Sequence, residues 1–114
     1  MKPERKEHKR NLKMSDAFKS EVNRWAEKIN VTPEQIRIQT MKKKWASCSS
    51  REWICFSKDL LNEPQDFQEY VIVHELLHLQ VPNHGRLFKS LMNAYLPEWE
   101  KIVGRRRKES EREI

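Results

Sequence analysis

The chain has 114 residues, a length that predicts a single domain with one small hydrophobic core. Charged residues make up 35% of the chain and its mean hydropathy is -0.94, so we expect a soluble protein. No apolar run approaches the roughly 20 residues that span a bilayer, and no secretory signal is recognisable at the start. The two cysteines are too few for a disulfide framework, and we therefore expect a cytoplasmic protein with reduced thiols.

The net charge of +6 is concentrated at the two ends of the chain. Residues 1–13 contain six Lys or Arg against two Glu, and residues 101–114 contain six against three. The segment between them holds eleven basic and twelve acidic residues and is close to neutral. We therefore predict a charged arm over residues 1–13, disordered or loosely helical, a domain over 14–104 and a charged tail over 105–114.

The first half of the predicted domain contains one helix and two strands. Ser15 is a suitable N-cap for an amphipathic helix that ends near Asn30. Residues 36–41 alternate between polar and β-branched side chains, which predicts a strand, and residues 52–57 have the character of a second one. We expect these two strands to pair as an antiparallel hairpin around a polar turn region at 42–51.

The second half of the domain is predicted to be helical. A helix over residues 64–80 opens with a proline, which the first helical turn tolerates. A further helix begins near Gly85, and Pro97 separates it from a short final helix that Gly104 stops. The face that the helix after Gly85 should bury consists of Leu87, Phe88, Leu91 and Met92. The predicted fold is α+β, a short antiparallel sheet packed against three to four helices.

The run H-E-L-L-H at residues 74–78 predicts a metal site. His74 and His78 lie four residues apart and so share one helix face, where both imidazoles can bind one ion. Glu75 can act on a metal-bound water. Catalytic zinc takes three protein ligands and keeps one position open. His84 is the natural third ligand, because Pro82 and Asn83 should end the helix and turn the chain back.

A chance occurrence of this pattern on a solvated helix is the alternative. Three observations favour the metal site. His84 follows His74 by ten residues, the spacing found in H-E-x-x-H-x-x-G-x-x-H enzymes, although Val81 replaces the glycine. The apolar run at 71–73 predicts that the helix is buried. The motif also lies centrally in the chain and outside the charged ends.

Two separated motifs resemble one known family. W-A-S-C-S-S at residues 45–50 is followed by a strand, a helix that opens with proline, V-H-E-L-L-H-L at 73–79, and Asn83-His84 with Phe88 beyond. This order and spacing resembles the YgjP-like zinc metallopeptidases and their short soluble relatives, the minigluzincins. The resemblance covers roughly residues 36–103. Ala46 stands where the family usually has glycine.

The resemblance implies a zincin-like fold, one Zn²⁺ per chain held by three histidines, and a glutamate general base. These residues would be His74, His78, His84 and Glu75. Because gluzincins at large use a glutamate as third ligand, Glu98 and Glu100 are alternatives to His84. The implied activity is a zinc metallopeptidase that hydrolyses peptide or protein substrates.

Two further roles follow from the chemistry of peptide hydrolysis. The transition-state oxyanion needs a donor besides zinc, and Tyr95 and Arg86 are the candidates, although they are equally explained as a core aromatic and a surface charge. The strand containing Trp53, Ile54 and Cys55 is the predicted edge for an extended peptide, though Ile54 can also be a core residue.

Three other functions are compatible with the sequence. A SprT-like DNA-associated protease or nucleic-acid-binding module would use the basic ends on phosphates. A latent enzyme would place a carboxylate of the C-terminal tail on the open zinc position, from Glu109, Glu111, Glu113 or the terminal carboxylate. A structural zinc protein would need a fourth protein ligand, and Glu75 would then have no function.

Overall fold

The computed structural model describes residues 3–49 and 53–107, with side chains described over 13–49 and 53–105. The helices are α1 (Pro3–Ile29), α2 (Gln65–Leu77), α3 (Arg86–Tyr95) and α4 (Trp99–Arg107). The strands are β1 (Gln35–Gln39), β2 (Ala46–Cys48) and β3 (Trp53–Ser57), and a 3-10 helix covers Lys58–Asn62. No described helix is both long and apolar enough to cross a membrane. The fold is α+β, as predicted.

Helix α2 is the centre of the molecule. Every residue from Tyr70 to Leu77 is buried, because α1, α3, α4 and β2 all pack against this helix. An apolar helix surrounded in this way is typical of a protein core. Two polar side chains, His74 and Glu75, are nevertheless buried within it. Since burying polar groups is costly, their position indicates a function.

Helix α1 is longer than predicted. It begins at Pro3 and passes through Ser15 without interruption, so Ser15 is not its N-cap. Proline is tolerated in a first turn, and the Glu, Lys and Arg residues that follow are good helix formers. The first buried residue is Phe18. The predicted end is confirmed, since Asn30 adopts a left-handed conformation with φ of 64°.

The sheet is mixed, and the predicted antiparallel hairpin is wrong. The strand order is β1-β3-β2, in which β1 pairs with β3 in parallel and β2 pairs with β3 in antiparallel fashion. The segment between β1 and β2 crosses the end of β3. Ser57 holds this segment, donating from its backbone N–H to the Trp45 carbonyl at 2.9 Å and from Oγ to the Met41 carbonyl at 3.0 Å.

Helix α3 begins as predicted, with Gly85 as its N-cap. Phe88 and Met92 are buried, but Leu87 is 61% exposed, which corrects its placement on the buried face. An apolar stripe centred on Phe88 places Leu87 at its border, one residue to the side.

Helix α4 does not stop at Gly104 but continues to Arg107. Ile102 is buried and Val103 packs against the core. The Arg105 guanidinium donates to the Asp66 carboxylate at 2.7 Å, which joins α4 to the first turn of α2. These contacts hold the helix together through a residue of low helix propensity.

Candidate metal centre and peptide cleft

The end of α2 and the start of α3 bring three histidines together. His74 lies in the last turn of α2, and His78 is its C-cap. The chain then turns, with the Val81 N–H donating to the Leu77 carbonyl at 2.8 Å. The Gln80 side chain donates to the Ile29 carbonyl at 2.9 Å, which fastens the turn to the end of α1. This turn delivers His84 to the two helical imidazoles.

The imidazole nitrogens of His74, His78 and His84 converge. One ligand nitrogen from each ring lies within 4.8 Å of the others. Nε2 of His84 and Nε2 of His78 are 2.8 Å apart. The ring centroid of His74 is 4.8 Å from that of His78 and 4.9 Å from that of His84. The structure therefore assembles the predicted triad around one point.

Phe88 is the platform under this triad. Its ring centroid lies 5.2 Å from that of His74, 5.0 Å from His78 and 4.8 Å from His84. On the other side, the Tyr70 ring lies 5.7 Å from His74. Sequence reasoning placed Phe88 on a buried face but did not predict its contact with all three ligands. No local pattern indicates that contact, because His84 precedes the N-cap Gly85 and lies outside helix α3.

The electrostatic environment favours the neutral form of His78 and His84, the two less buried imidazoles. Burial lowers the pKa of His78, and the neighbouring His74 lowers it further. The pKa of His84 is lowered for the same two reasons, with burial the larger. Neutral imidazole is the form that binds metal ions, so both rings are prepared for ligation near pH 7.

Glu75 faces a cavity of about 360 Å³ beside the triad. Its side chain is only 3% exposed, and Oε1 lies 3.5 Å from Nδ1 of His74. The cavity extends from His78 and Glu75 to the strand β2. The residues that line it are Lys44, Ala46, Ser47, Cys48, Ser49, Glu75, His78 and Pro82.

The donor set fits a catalytic metal ion. Three imidazoles suit zinc, and among the described residues no Asp, Glu or Cys joins them as a fourth ligand. Nδ1 of His74 is buried and has no hydrogen-bond partner within the described part of the chain, a costly state that a metal or water would relieve. Glu98 and Glu100, the alternative third ligands, lie outside this cluster, and Glu98 instead pairs with Lys101 at 3.1 Å.

The predicted substrate edge is corrected by the sheet order. Trp53, Ile54 and Cys55 belong to β3, which is the central strand and pairs on both sides. Ile54 is fully buried in the core. The strand that lines the cavity is instead β2, at the edge of the sheet. Its first residue, Ala46, is 1% exposed and has no positive φ, so this backbone does not require glycine.

Neither predicted oxyanion donor lines the cavity. Arg86 is exposed at the first position of α3, two residues beyond His84. Tyr95 ends the same helix and packs against the core. Their roles remain predictions.

Comparison with known proteins agrees with this geometry. The sequence model that defines the YgjP-like metallopeptidase domain family matches residues 3–106 of this chain. The crystal structure of the metallopeptidase zymogen of Methanocaldococcus jannaschii jannalysin is similar, with a TM-score of 0.67 and 28% sequence identity. The match covers 77% of this chain and 95% of the jannalysin chain. No curated protein matches the sequence.

Proposed function

We propose, from the premise that this chain belongs to the YgjP-like metallopeptidase family, that it hydrolyses peptide bonds with one zinc ion and a glutamate base. His74, His78 and His84 would hold the ion, and Glu75 would transfer the protons. The observation that supports this most directly is the convergence of three imidazole nitrogens within 4.8 Å beside a cavity that Glu75 lines.

Zinc, when bound, would lower the pKa of water toward about 7 and polarise the scissile carbonyl as a Lewis acid. His74, His78 and His84 would hold it without adding negative charge, which favours this chemistry. Phe88 and Tyr70 pack against the His74 ring and would keep it in place beside the cavity.

Glu75 is proposed as the general base and then the general acid. Its carboxylate lines the cavity, where it can accept a proton from the attacking water. It would deliver the same proton to the amide nitrogen as the carbon–nitrogen bond breaks, so that the product leaves as a neutral amine. Because α1, α3, α4 and β2 all pack against α2, the helix holds the carboxylate at a fixed place beside the histidines.

We propose β2 as the strand that receives the substrate. It is the edge of the sheet next to Glu75 and His78, and Ala46 to Cys48 all line the cavity. An extended peptide can add to such an edge through main-chain hydrogen bonds. This places the scissile bond against the histidines and replaces β3 in the role predicted for it.

We also propose that the tail after α4 holds the enzyme latent. The jannalysin chain of the similar structure is a zymogen by its title. Glu109, Glu111 and Glu113, whose carboxylates are good zinc ligands, lie outside the described residues. Since α4 continues to Arg107 and Arg105 is bound to Asp66, truncation should begin at residue 108. The shortened chain should cleave peptides faster, and an unchanged rate would exclude the tail as inhibitor.

We propose that the protein is cytoplasmic, because its two cysteines are too few for a disulfide framework.

The decisive experiment measures zinc content and peptide cleavage in the parent, Glu75→Gln and His84→Ala. We expect one zinc per chain in the parent and in Glu75→Gln, with a rate loss of about 10²–10⁴ in the latter. His84→Ala should lose zinc. Equal cleavage by Glu75→Gln and the parent would refute the role of Glu75, and full zinc occupancy in His84→Ala would remove that ligand.

A further inference from the structure

The cavity beside the triad has one positively charged side chain on its wall. Among the eight lining residues in the described part of the chain, Lys44 is the one Lys or Arg and Glu75 is the one Asp or Glu. The others are small, polar or proline. Glu75 belongs to the proposed chemistry, whereas the proposed mechanism gives Lys44 no role.

The backbone at Lys44 is held firmly while its side chain is exposed. The next residue, Trp45, is 5% exposed, and its carbonyl accepts from the Ser57 N–H at 2.9 Å. Lys44 itself is exposed. Among the side chains that the structure describes, no carboxylate forms an ion pair with it. The ammonium group is therefore available to an incoming ligand at the start of β2.

Two further lysines add positive charge beside Lys44. Lys42 and Lys43 precede it in the segment that leads into β2, and both are exposed. A one-signed run beside a cleft raises the local concentration of ligands with the opposite charge.

We infer that the cleft selects peptides that present a carboxylate to Lys44, which makes Lys44 a specificity-determining residue. This inference rests on the proposed peptidase function. A peptide paired along β2 would pass Lys44 immediately beside the strand. Oxyanion donors act in water-excluded surroundings, so the exposure of Lys44 favours recognition of the bound substrate over stabilisation of the transition state. The carboxylate can belong to an Asp or Glu side chain or to a peptide C-terminus.

The test uses the zinc-loaded full chain and matched peptides. The first series starts from a neutral, C-terminally amidated peptide, and in each member one Gln is replaced by Glu. In the second series the same neutral peptide has a free C-terminal carboxylate in place of the amide. The parent should prefer the carboxylate peptides about threefold to tenfold in kcat/KM, through KM. This preference should shrink between about 50 mM and about 500 mM NaCl. The series that shows the preference identifies the carboxylate.

The variants isolate Lys44. Lys44→Ala should abolish the preference, Lys44→Arg should restore it, and Lys44→Glu should favour Lys-containing peptides. Lys43→Ala is the matched control, an exposed neighbour that does not line the cavity, and it should keep the preference. An unchanged preference in Lys44→Glu would overturn the inference. So would an equal fall of kcat for both peptide series in Lys44→Ala, which would make Lys44 a transition-state donor.

A binding assay separates this inference from the proposed function. The same labelled peptides are titrated onto the zinc-loaded Glu75→Gln full chain, which needs no turnover. Tighter binding of the carboxylate peptides, lost in the Glu75→Gln and Lys44→Glu double variant, supports the inference even if the parent cleaves nothing. Cleavage without any charge preference refutes it and leaves the peptidase intact. Absence of binding by either series at about 1 mM peptide also refutes it.

Discussion

His74 is oriented mainly by aromatic rings. Its ring contacts Phe88 and Tyr70, and Tyr70 in turn stacks on Trp99 of α4 at a centroid distance of 6.3 Å. Its buried Nδ1 lies 3.5 Å from Oε1 of Glu75 and has no hydrogen-bond partner within the described residues. The packing of neighbouring rings therefore provides much of the orientation of this imidazole.

Phe88→Leu should therefore weaken zinc binding without unfolding the protein. Loss of groups that orient metal ligands typically costs about 10-fold to 100-fold in affinity. A substitution that nearly conserves volume should cost less than about 1.5 kcal/mol in the free energy of unfolding. Met92→Leu, also buried on α3, is the control. Competition with a chelator measures the zinc affinity. Equal zinc affinities of Phe88→Leu and the parent would show that Phe88 does not orient the ligands.

Arg86→Ala and Tyr95→Phe test the two predicted oxyanion donors. Neither residue lines the cavity, so each variant should keep its zinc and a kcat near the parental value. Steady-state kinetics measures this, and a fall of kcat by about 10²–10³ in one variant would assign the donor to that residue.

Gly104 is an unfavourable residue for the interior of helix α4. A Cβ added there would meet no atom within 4 Å, and its φ is not positive. Gly104→Ala should therefore raise the free energy of unfolding by about 0.5–1 kcal/mol, since glycine disfavours helix interiors. Denaturant titration measures this. A lower stability would show that the helix does not pass through Gly104 in solution.

The sequence predicts the helices of this fold better than its sheet. The apolar run before H-E-L-L-H and the four-residue spacing of His74 and His78 are local signals, and they predict both α2 and these two ligands. An alternating strand has the same pattern in parallel and antiparallel pairing. The pairing of β1 with β3 depends on a crossing segment held by Ser57, which no local pattern reveals.

The sequence also did not predict that β2 forms the wall of the cavity, again because no local pattern indicates it. With only three residues, β2 is too short to be recognised by alternation, and its polar neighbours suggest a turn. Lys44 follows two other lysines, a run that usually marks a solvated surface. Only the strand order shows that this surface faces Glu75.

For the whole molecule, the metal site and the hydrophobic core share one helix. Metal that binds only the folded chain must stabilise it, by about 2.7 kcal/mol when free zinc is 100 times its Kd. Chelation should therefore lower the Tm of the parent by several degrees. His84→Ala is the control and should melt at the same temperature with or without chelator. If chelator leaves the parental Tm unchanged, zinc binding does not stabilise the folded chain.

The order of these elements along the chain also affects biosynthesis. The cavity wall comes from Lys44 to Ser49, the helical ligands from α2, and the third ligand with its platform from His84 and Phe88. A ribosome-bound nascent chain thus has no assembled site until α3 has emerged from the exit tunnel. Products that terminate before α3 would therefore be inert, whereas a product that ends just after α4 would have the whole site without the proposed inhibitory tail.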